Sequence, residues 1–456
     1  MVATELKMTE QRGEDTLAKI VSLCKRRGFV YPNSEIYNGL AGVYDFGPLG
    51  MLLRRNLKEH WWRTMTQLRD DCVGIEGAIL THPRVWEASG HVVSFSDPMV
   101  DCKQCKRRFR ADHMQEQGST RCPECGGKFT EPKRFNLLMS TQLGVVEGEK
   151  MTTYLRGEAC QNIYLDFKNV VDSTRMRLPL GICQIGKAFR NEVTLGPFVM
   201  RQREFEQWDM QWFCKAEEMQ HWYDHWQRER FAFYQRLVNN HDHLRLRQHA
   251  QDELAHYAKV AYDVEYDTPG LGWKEWEGIH WRGDWDLSRH SEYSGKDLSY
   301  VDPVSNERFL PHIVETSGGV DRTFFFVLMD AYAEEPDKDG VRVVLRLKKH
   351  LAPIKVAVLP LSKKEPLQEL SRSILRTLRP ICTTQYDENQ AIGRRYRRQD
   401  EIGTPYCVTV DFQSLEDQRV TVRDRDTMAQ DRIAIPELAD FLRTHLAADQ
   451  LAIEVG

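Results

Sequence analysis

The stretch GKAFRNEVTLGPFVMRQREFEQWDMQWF, residues 186 to 213, constrains the fold more than any other. Phe189 and Val193 precede a Leu195-Gly196-Pro197 turn, and Phe198, Val199, Met200, Phe205, Trp208 and Trp212 follow it, the pattern of two strands around a hairpin. Yet the hairpin carries Arg190, Glu192, Arg201, Arg203, Glu204, Glu206 and Asp209 on its flanks. Such charges have two readings. An arginine on one strand can grip an α-phosphate, a nearby glutamate can accept from an adenine amino group, and an aromatic on the returning strand can stack under the base. The plainer reading is a solvated, salt-bridged hairpin, and for this stretch in isolation it is the better one.

The rest of the chain supplies the context. At 456 residues it exceeds one ordinary domain, and two or three are expected. A formal charge of -4 excludes a uniformly basic nucleic-acid coat while leaving room for a local basic patch. The N-terminus has no apolar core of signal-peptide length and nothing approaches a membrane span, which together predict a cytoplasmic protein with no membrane partner.

Residues 27 to 50 read as a Gly- and Tyr-rich loop leading into a helix over 49 to 65, with Leu49, Leu52, Leu53, Leu57 and Trp61 on one face. Strands are expected over 74 to 80 (the chain then reaching Pro83), 162 to 168, 183 to 193 and 198 to 213, and a helix over 215 to 240. From Lys355 the pattern changes: alternating IKVAVLPL, amphipathic PLQELSRSILRTLR, then PYCVTVDF, QRVTVRDR and a final helix near 436 to 447. That alternation predicts a separate α/β domain. The expected division is 1 to 350 and 351 to 456, with a short basic and Cys-rich insert over about 100 to 134.

Within the insert, CKQC (102 to 105) and CPEC (122 to 125) are two CxxC pairs sixteen residues apart. This spacing brings the thiolates of Cys102, Cys105, Cys122 and Cys125 onto one zinc ion, two from each knuckle, and Gly126-Gly127 suits a knuckle turn. A redox pair is the competing reading. A closed four-thiolate site is structural rather than catalytic. In a chain of this kind the remaining seven cysteines are thiols buried as small hydrophobes, not disulfides.

FRNE (189 to 192) followed by Arg201, Phe205 and Asp209 resembles the second motif of class II aminoacyl-tRNA synthetases. ETSGGVDRTFFFVLMDAY (315 to 332) resembles their third motif, and the helix and strand ending at Pro83 are similar to their first, which forms the dimer interface. Over nearly its whole length the chain is similar to the homodimeric glycyl-tRNA synthetases, in RRGFVYPNSEIYNGLAGVYDFGPLG, VWEASGH, FRADH, YLRGEACQNI, LPLGICQIGKAFRNE, REFEQ, LAPIKVAVLPL and AIGRRYRRQDEIGTPYCVTVDF. The resemblance implies an α+β fold: a class II synthetase antiparallel sheet flanked by helices, followed by a C-terminal mixed α/β anticodon-binding domain. It implies that glycine and ATP, with Mg2+ bridging the phosphates, form glycyl-adenylate, and that glycine then passes to tRNA(Gly). The implied partners are tRNA and a second copy of the chain, with no DNA.

The family's roles, carried across, make Arg190 and Arg322 the catalytic arginines. Arg190 would hold the α-phosphate and the glycine carboxylate, Glu192 would read adenine, Phe205 and Arg322 would sandwich it, and Arg201 would lie along the outer phosphates. Glu158, Asp209 and Glu315 would surround the glycine ammonium, with Ser317 and Arg282 completing the pocket. For Glu158 and Arg282 the alternative is a structural ion pair. The run Arg394, Arg395, Tyr396, Arg397, Arg398 suits phosphate gripping and stacking on tRNA, against the alternative of a solvated helix face.

The chain departs from the family pattern near the amino-acid pocket. It has YLRGEACQNIY where the family reads YLRPETAQGIF, and Asp209 where the family has Glu. A paralog activating another small amino acid for a tRNA or a carrier is one alternative, and a non-catalytic tRNA-binding relative is another. Intact Arg190, Glu192, Phe205 and Arg322 argue against the second.

Overall fold

The computed structural model describes residues 2 to 454 apart from 117, 147, 149, 255 to 257 and 338 to 339, with side chains described from 15 to 447, residues 113 and 116 also excepted. Its centre is a seven-stranded sheet of β1 (Cys72–Gly74), β2 (Leu180–Phe189), β3 (Glu204–Cys214), β4 (Leu244–Gln248), β5 (Val260–Thr268), β6 (Gly272–Gly283) and β7 (His312–Gly319), in the order β4-β5-β6-β7-β3-β2-β1. All neighbours are antiparallel except β1 and β2.

The period of two along β3 sets the character of both faces. Trp208, Met210 and Trp212 are fully buried on one side, while Phe205, Gln207, Asp209 and Gln211 have the opposite parity. The apolar side joins one core with helices α1 (Pro48–Trp62), α3 (Met219–Leu237) and α4 (Val320–Ala331); α2 (Gln161–Thr174) belongs to a second, smaller core. Trp61 of α1 stacks on Trp208 with ring centroids 5.7 Å apart. Beneath the sheet the buried carboxylate of Glu277 accepts from Arg230 at 2.5 Å and Tyr234 at 2.6 Å. Gly318 permits this close packing, since a Cβ there would meet Trp208 Nε1 at 2.4 Å and Glu277 at 2.9 Å.

Several elements differ from the sequence expectations. Residues 162 to 168 are helical, not a strand: Ile163, Tyr164, Phe167, Val170 and Val171 bury one helical face, and that packing outweighs the β-propensity of the run. The hairpin has no tight Gly-Pro turn. β2 ends at Phe189, β3 begins at Glu204, and residues 190 to 203 form a loop with a 3-10 turn at Phe198–Met200. The span 74 to 80 holds only the end of β1 and a separate two-residue strand, Leu80–Thr81. The α1 stripe does not wait for a partner, because Leu53, Leu57 and Trp61 lie in the protein's own core.

The insert is a three-stranded sheet of Ser96–Asp101, Arg108–Arg110 and Lys133–Asn136, with the knuckles beyond it. The C-terminal part has its own core and a five-stranded sheet of β8 (Val356–Pro360), β9 (Thr384–Tyr386), β10 (Tyr406–Val410), β11 (Arg419–Asp424) and β12 (Gln430–Ala434), in the order β9-β8-β10-β11-β12. β8 runs parallel to both its neighbours and is buried along its length, as parallel strands are. Among the described residues no helix is long and apolar enough to cross a membrane.

Candidate active site

The polar face of the seven-stranded sheet borders a cleft of about 460 Å3. Its lining includes Arg190, Glu192, Arg201, Phe205 and Arg322 together with Glu158, Asp209, Glu315 and Ser317, although these residues are spread over more than 160 positions of chain. Arg282 does not line it but supports it from below.

One end is aromatic and cationic. Arg190 follows β2, and its Nε donates to the Gly157 carbonyl at 3.0 Å, which aims the guanidinium. That guanidinium lies 5.3 Å from the Phe205 ring and 5.1 Å from Phe95, within cation-π reach of both. Glu192 is buried, and its Oε2 has no hydrogen-bond partner; the Arg201 guanidinium is 3.7 Å away, beyond hydrogen-bond range. Burial raises the Glu192 carboxyl, opposed by Arg201 and Arg190. Arg322, in the first turn of α4, is tied to Glu275 by its carboxylate at 3.2 Å and its carbonyl at 2.9 Å, and it holds that carboxyl below its ordinary value.

Four residues further along β3, about 13 Å of strand, the character changes. Asp209 faces Ser317 across the β3–β7 register, and Glu315 faces both Gln211 and His280. Arg282, itself 2% exposed, makes two contacts to Glu315 at 2.9 and 3.0 Å and two to Asp286 at 2.7 and 2.8 Å. Burial alone would raise Glu315, but Arg282 and the His280 hydrogen bond hold it down to about 2. Burial likewise opposes ionisation of Glu158, yet His91, 3.2 Å away, outweighs it and the carboxyl sits well below the usual range. Asp209 has no cationic partner beside it; a hydrogen bond with Ser317 favours its ionised form but does not offset burial. Asp209 is 1% exposed, its Oδ2 accepts nothing, and burial followed by repulsion from Glu315 pushes it well above the carboxylate range. Two committed carboxylates and one uncommitted carboxylate therefore share this end, a small anionic pocket for a cation.

The lining also includes residues to which the sequence reading gave no role, among them Phe95, Asp97, Gln207, His249, Glu275 and His280. His280 has the strand parity of Arg282 and was open to inference by alternation. Burial pulls its imidazole down, but the hydrogen bond to Glu315 at 2.8 Å more than offsets that and the group is raised.

The arginine run lies elsewhere, on the helix Ile392–Glu401, and its four arginines do not share one exposed face, Arg395 being turned inward. Arg395 is 1% exposed and donates inward to the carbonyls of Pro360 at 2.6 Å, Asp387 at 3.2 Å and Leu361 at 3.3 Å. Arg398 pairs with Asp387 at 2.6 Å, and Arg397 pairs with Asp337. Only Arg394 of the four is exposed.

The four insert cysteines converge. All four Sγ atoms lie within 4.8 Å of one another, with Cys102–Cys125 at 3.5 Å and Cys105–Cys122 at 3.7 Å. Tetrahedral Zn–S bonds of about 2.3 Å imply sulfur separations of about 3.8 Å, so the set fits zinc. The Cys105 backbone N–H lies 3.4 Å from Cys102 Sγ, and a Cβ at Gly127 would meet that sulfur at 2.7 Å.

Comparison with known proteins supplies the kinship. Residues 145–331 match the tRNA synthetase class II core domain (G, H, P, S and T), and residues 355–445 match the anticodon binding domain. The chain is 51% identical over 439 residues to the glycine-tRNA ligase of Treponema denticola, covering 94% of this chain and 97% of that one. It is 47% identical to the glycine-tRNA ligase of Borreliella burgdorferi, covering 94% and 97%, and 47% identical to that of Thermobifida fusca, covering 95% and 98%. The prolyl-tRNA synthetase of Cryptosporidium parvum superposes with a TM-score of 0.61 at 16% identity, covering 95% of this chain and 76% of that one, a likeness of fold.

Proposed function

The chain belongs to the glycine-tRNA ligase family of class II aminoacyl-tRNA synthetases, and on that premise we propose that it joins glycine to tRNA(Gly) through glycyl-adenylate. A glycine carboxylate oxygen attacks the α-phosphorus of ATP and pyrophosphate leaves. The terminal ribose hydroxyl of the tRNA then attacks the adenylate carbonyl and AMP leaves. No enzyme nucleophile is needed, so the protein works by alignment and charge stabilisation. The observation that carries this reading is the single cleft joining Arg190, Glu192, Phe205 and Arg322 to the carboxylates Glu158, Asp209 and Glu315.

In this reading Arg190, aimed by Gly157, holds the α-phosphate as charge develops there. Phe205 and Arg322 enclose adenine, and the partnerless Oε2 of Glu192 accepts its amino group. Arg201 follows the outer phosphates, whose remaining charge magnesium would neutralise. Asp209 takes the glycine ammonium, while Glu158, Glu315 and Ser317 shape the pocket and Arg282 positions Glu315 from below. Residues 1 to 350 form the catalytic part and 351 to 456 the anticodon-binding part. Cys102, Cys105, Cys122 and Cys125 would hold a zinc ion that stiffens the insert. The working unit is a cytoplasmic homodimer; its support is the short segment that exposes Ile36, Tyr37 and Leu40, with Ile36 87% exposed.

Pyrophosphate exchange across the small amino acids, followed by charging of tRNA(Gly), tests the assignment. Exchange strongest with glycine, and transfer to that tRNA, are expected. A preference for another amino acid would make the chain a paralog.

A further inference from the structure

The insert is more basic than its metal requires. Between Asp101 and Arg134 nine lysines and arginines stand against five acids, in a chain whose 67 acids outnumber its 63 basic residues. Sulfur and backbone hold a four-thiolate zinc, and no cation is needed. Three of the acids are already engaged: Glu124 with Arg107 at 2.5 Å, Asp112 with Arg110 at 2.6 Å and Asp101 with Arg108 at 2.7 Å.

The remaining cations are exposed and grouped. Lys103, Lys106, Lys128, Lys133 and Arg134 have no ion pair among the described residues. The Lys103 backbone N–H donates to the Lys128 carbonyl at 2.9 Å, and Lys128 faces Arg121 across a β-bridge. Lys106 lies in the same knuckle as Lys103, its N–H donating to the Cys102 carbonyl at 3.0 Å. Like charges gathered on one small insert repel one another, and a polyanion relieves the repulsion.

The group also stands in a telling place. The strand Ser96–Asp101 starts in the cleft wall, where Ser96 and Asp97 line the cavity, and runs directly into Cys102. Five residues of strand from Asp97 to Cys102 span about 17 Å. Arg110, at the end of the next strand, lines the cavity too. A polymer whose end reaches the cleft thus has its next few units beside the knuckles.

We propose that the zinc knuckle is an RNA-backbone surface, on which Lys103, Lys106, Arg121 and Lys128 neutralise phosphates of the stem adjoining the 3′ end that enters the cleft. The inference rests on tRNA being the acceptor. Point charges on flexible stems position a backbone without reading bases, so this contact contributes affinity and orientation rather than sequence choice. Zinc held by the four cysteines would then tie together the two segments that carry these lysines.

The test is the triple variant Lys103→Ala, Lys106→Ala, Lys128→Ala, with Tm and zinc content confirming its fold. Pyrophosphate exchange should stay unchanged while kcat/KM for tRNA falls tenfold or more. Affinity for a fluorescent RNA hairpin with a single-stranded 3′ end should fall, and the slope of log Kd against log salt should shrink by about 0.7 to 0.9 per lost phosphate contact. Arg394→Ala should leave hairpin binding alone. Unchanged hairpin affinity and slope, or no hairpin binding by the parent protein, overturns the proposal, as does an equal loss in pyrophosphate exchange. Weakened hairpin binding in a protein that charges no tRNA with glycine upholds the surface and sinks the tRNA(Gly) assignment instead.

Discussion

Replacing Asp209 with Asn separates what the amino-acid pocket does for binding from what it does to stability. The carboxyl is 1% exposed, its Oδ2 is unpartnered, and Glu315 and Glu158 both push it toward the protonated form. Glu315 has Arg282 and His280, and Glu158 has His91, so Asp209 alone waits for a cation from outside. A charge-assisted hydrogen bond to an ammonium is worth about 1.5 to 3 kcal/mol. The KM for glycine in pyrophosphate exchange should therefore rise about 10- to 150-fold in the Asn variant, with KM for ATP unchanged. Stability should move the other way. The folded pKa of Asp209 lies above its unfolded value, so the native state binds the extra proton and stability falls as pH climbs from the ordinary carboxylate range through the folded value. Asn removes that loss, and Tm at neutral pH should rise. The pH profile carries the same sign: KM for glycine falls as pH rises through the Asp209 ionisation, and this limb disappears in the variant. Asp209→Glu, which extends the carboxylate by about 1.5 Å, should improve the kcat/KM ratio of glycine over alanine. An Asn variant with unchanged KM for glycine, or with a lower Tm, would refute the assignment of Asp209 as the uncommitted acceptor.

Arg190→Ala should abolish adenylate formation, a loss of about 3 kcal/mol or roughly a hundredfold or more, measured by pyrophosphate exchange, while the Kd for tRNA stays the same. Elemental analysis should find about one zinc per chain, lost when Cys105 and Cys122 become Ser; zinc-free protein with full stability would contradict a structural metal. Arg395→Ala strands three inward-facing carbonyls, each worth about 1 to 3 kcal/mol, and should lower the Tm of the C-terminal part, whereas Arg394→Ala should change stability by less than about 0.5 kcal/mol.

Much of this protein was written locally in its sequence. The two CxxC knuckles were legible because four thiolates at that spacing have few other uses, and they do converge. The alternation of Gln207, Asp209 and Gln211 with Trp208, Met210 and Trp212 declares a strand with one polar and one apolar face wherever it is placed. What the tertiary structure alone decided depends on groups far apart in the chain. Arg395 and Arg394 are adjacent residues of one basic run, and only the carbonyls of Pro360, Leu361 and Asp387 draw the first inward. Residues 162 to 168 look like a strand until their partners show that a helix buries Ile163, Tyr164 and Phe167 together. Glu275 and Glu277 show the limit most clearly. Simple alternation places both on one face of β6, but the register shifts opposite Val264 and Glu265. Glu275 consequently reaches the cleft beside Arg322, while Glu277 is buried beneath the sheet with Arg230. A bulge inverts the facing of every residue beyond it, and its position is set by the neighbouring strand, not by the residues it displaces.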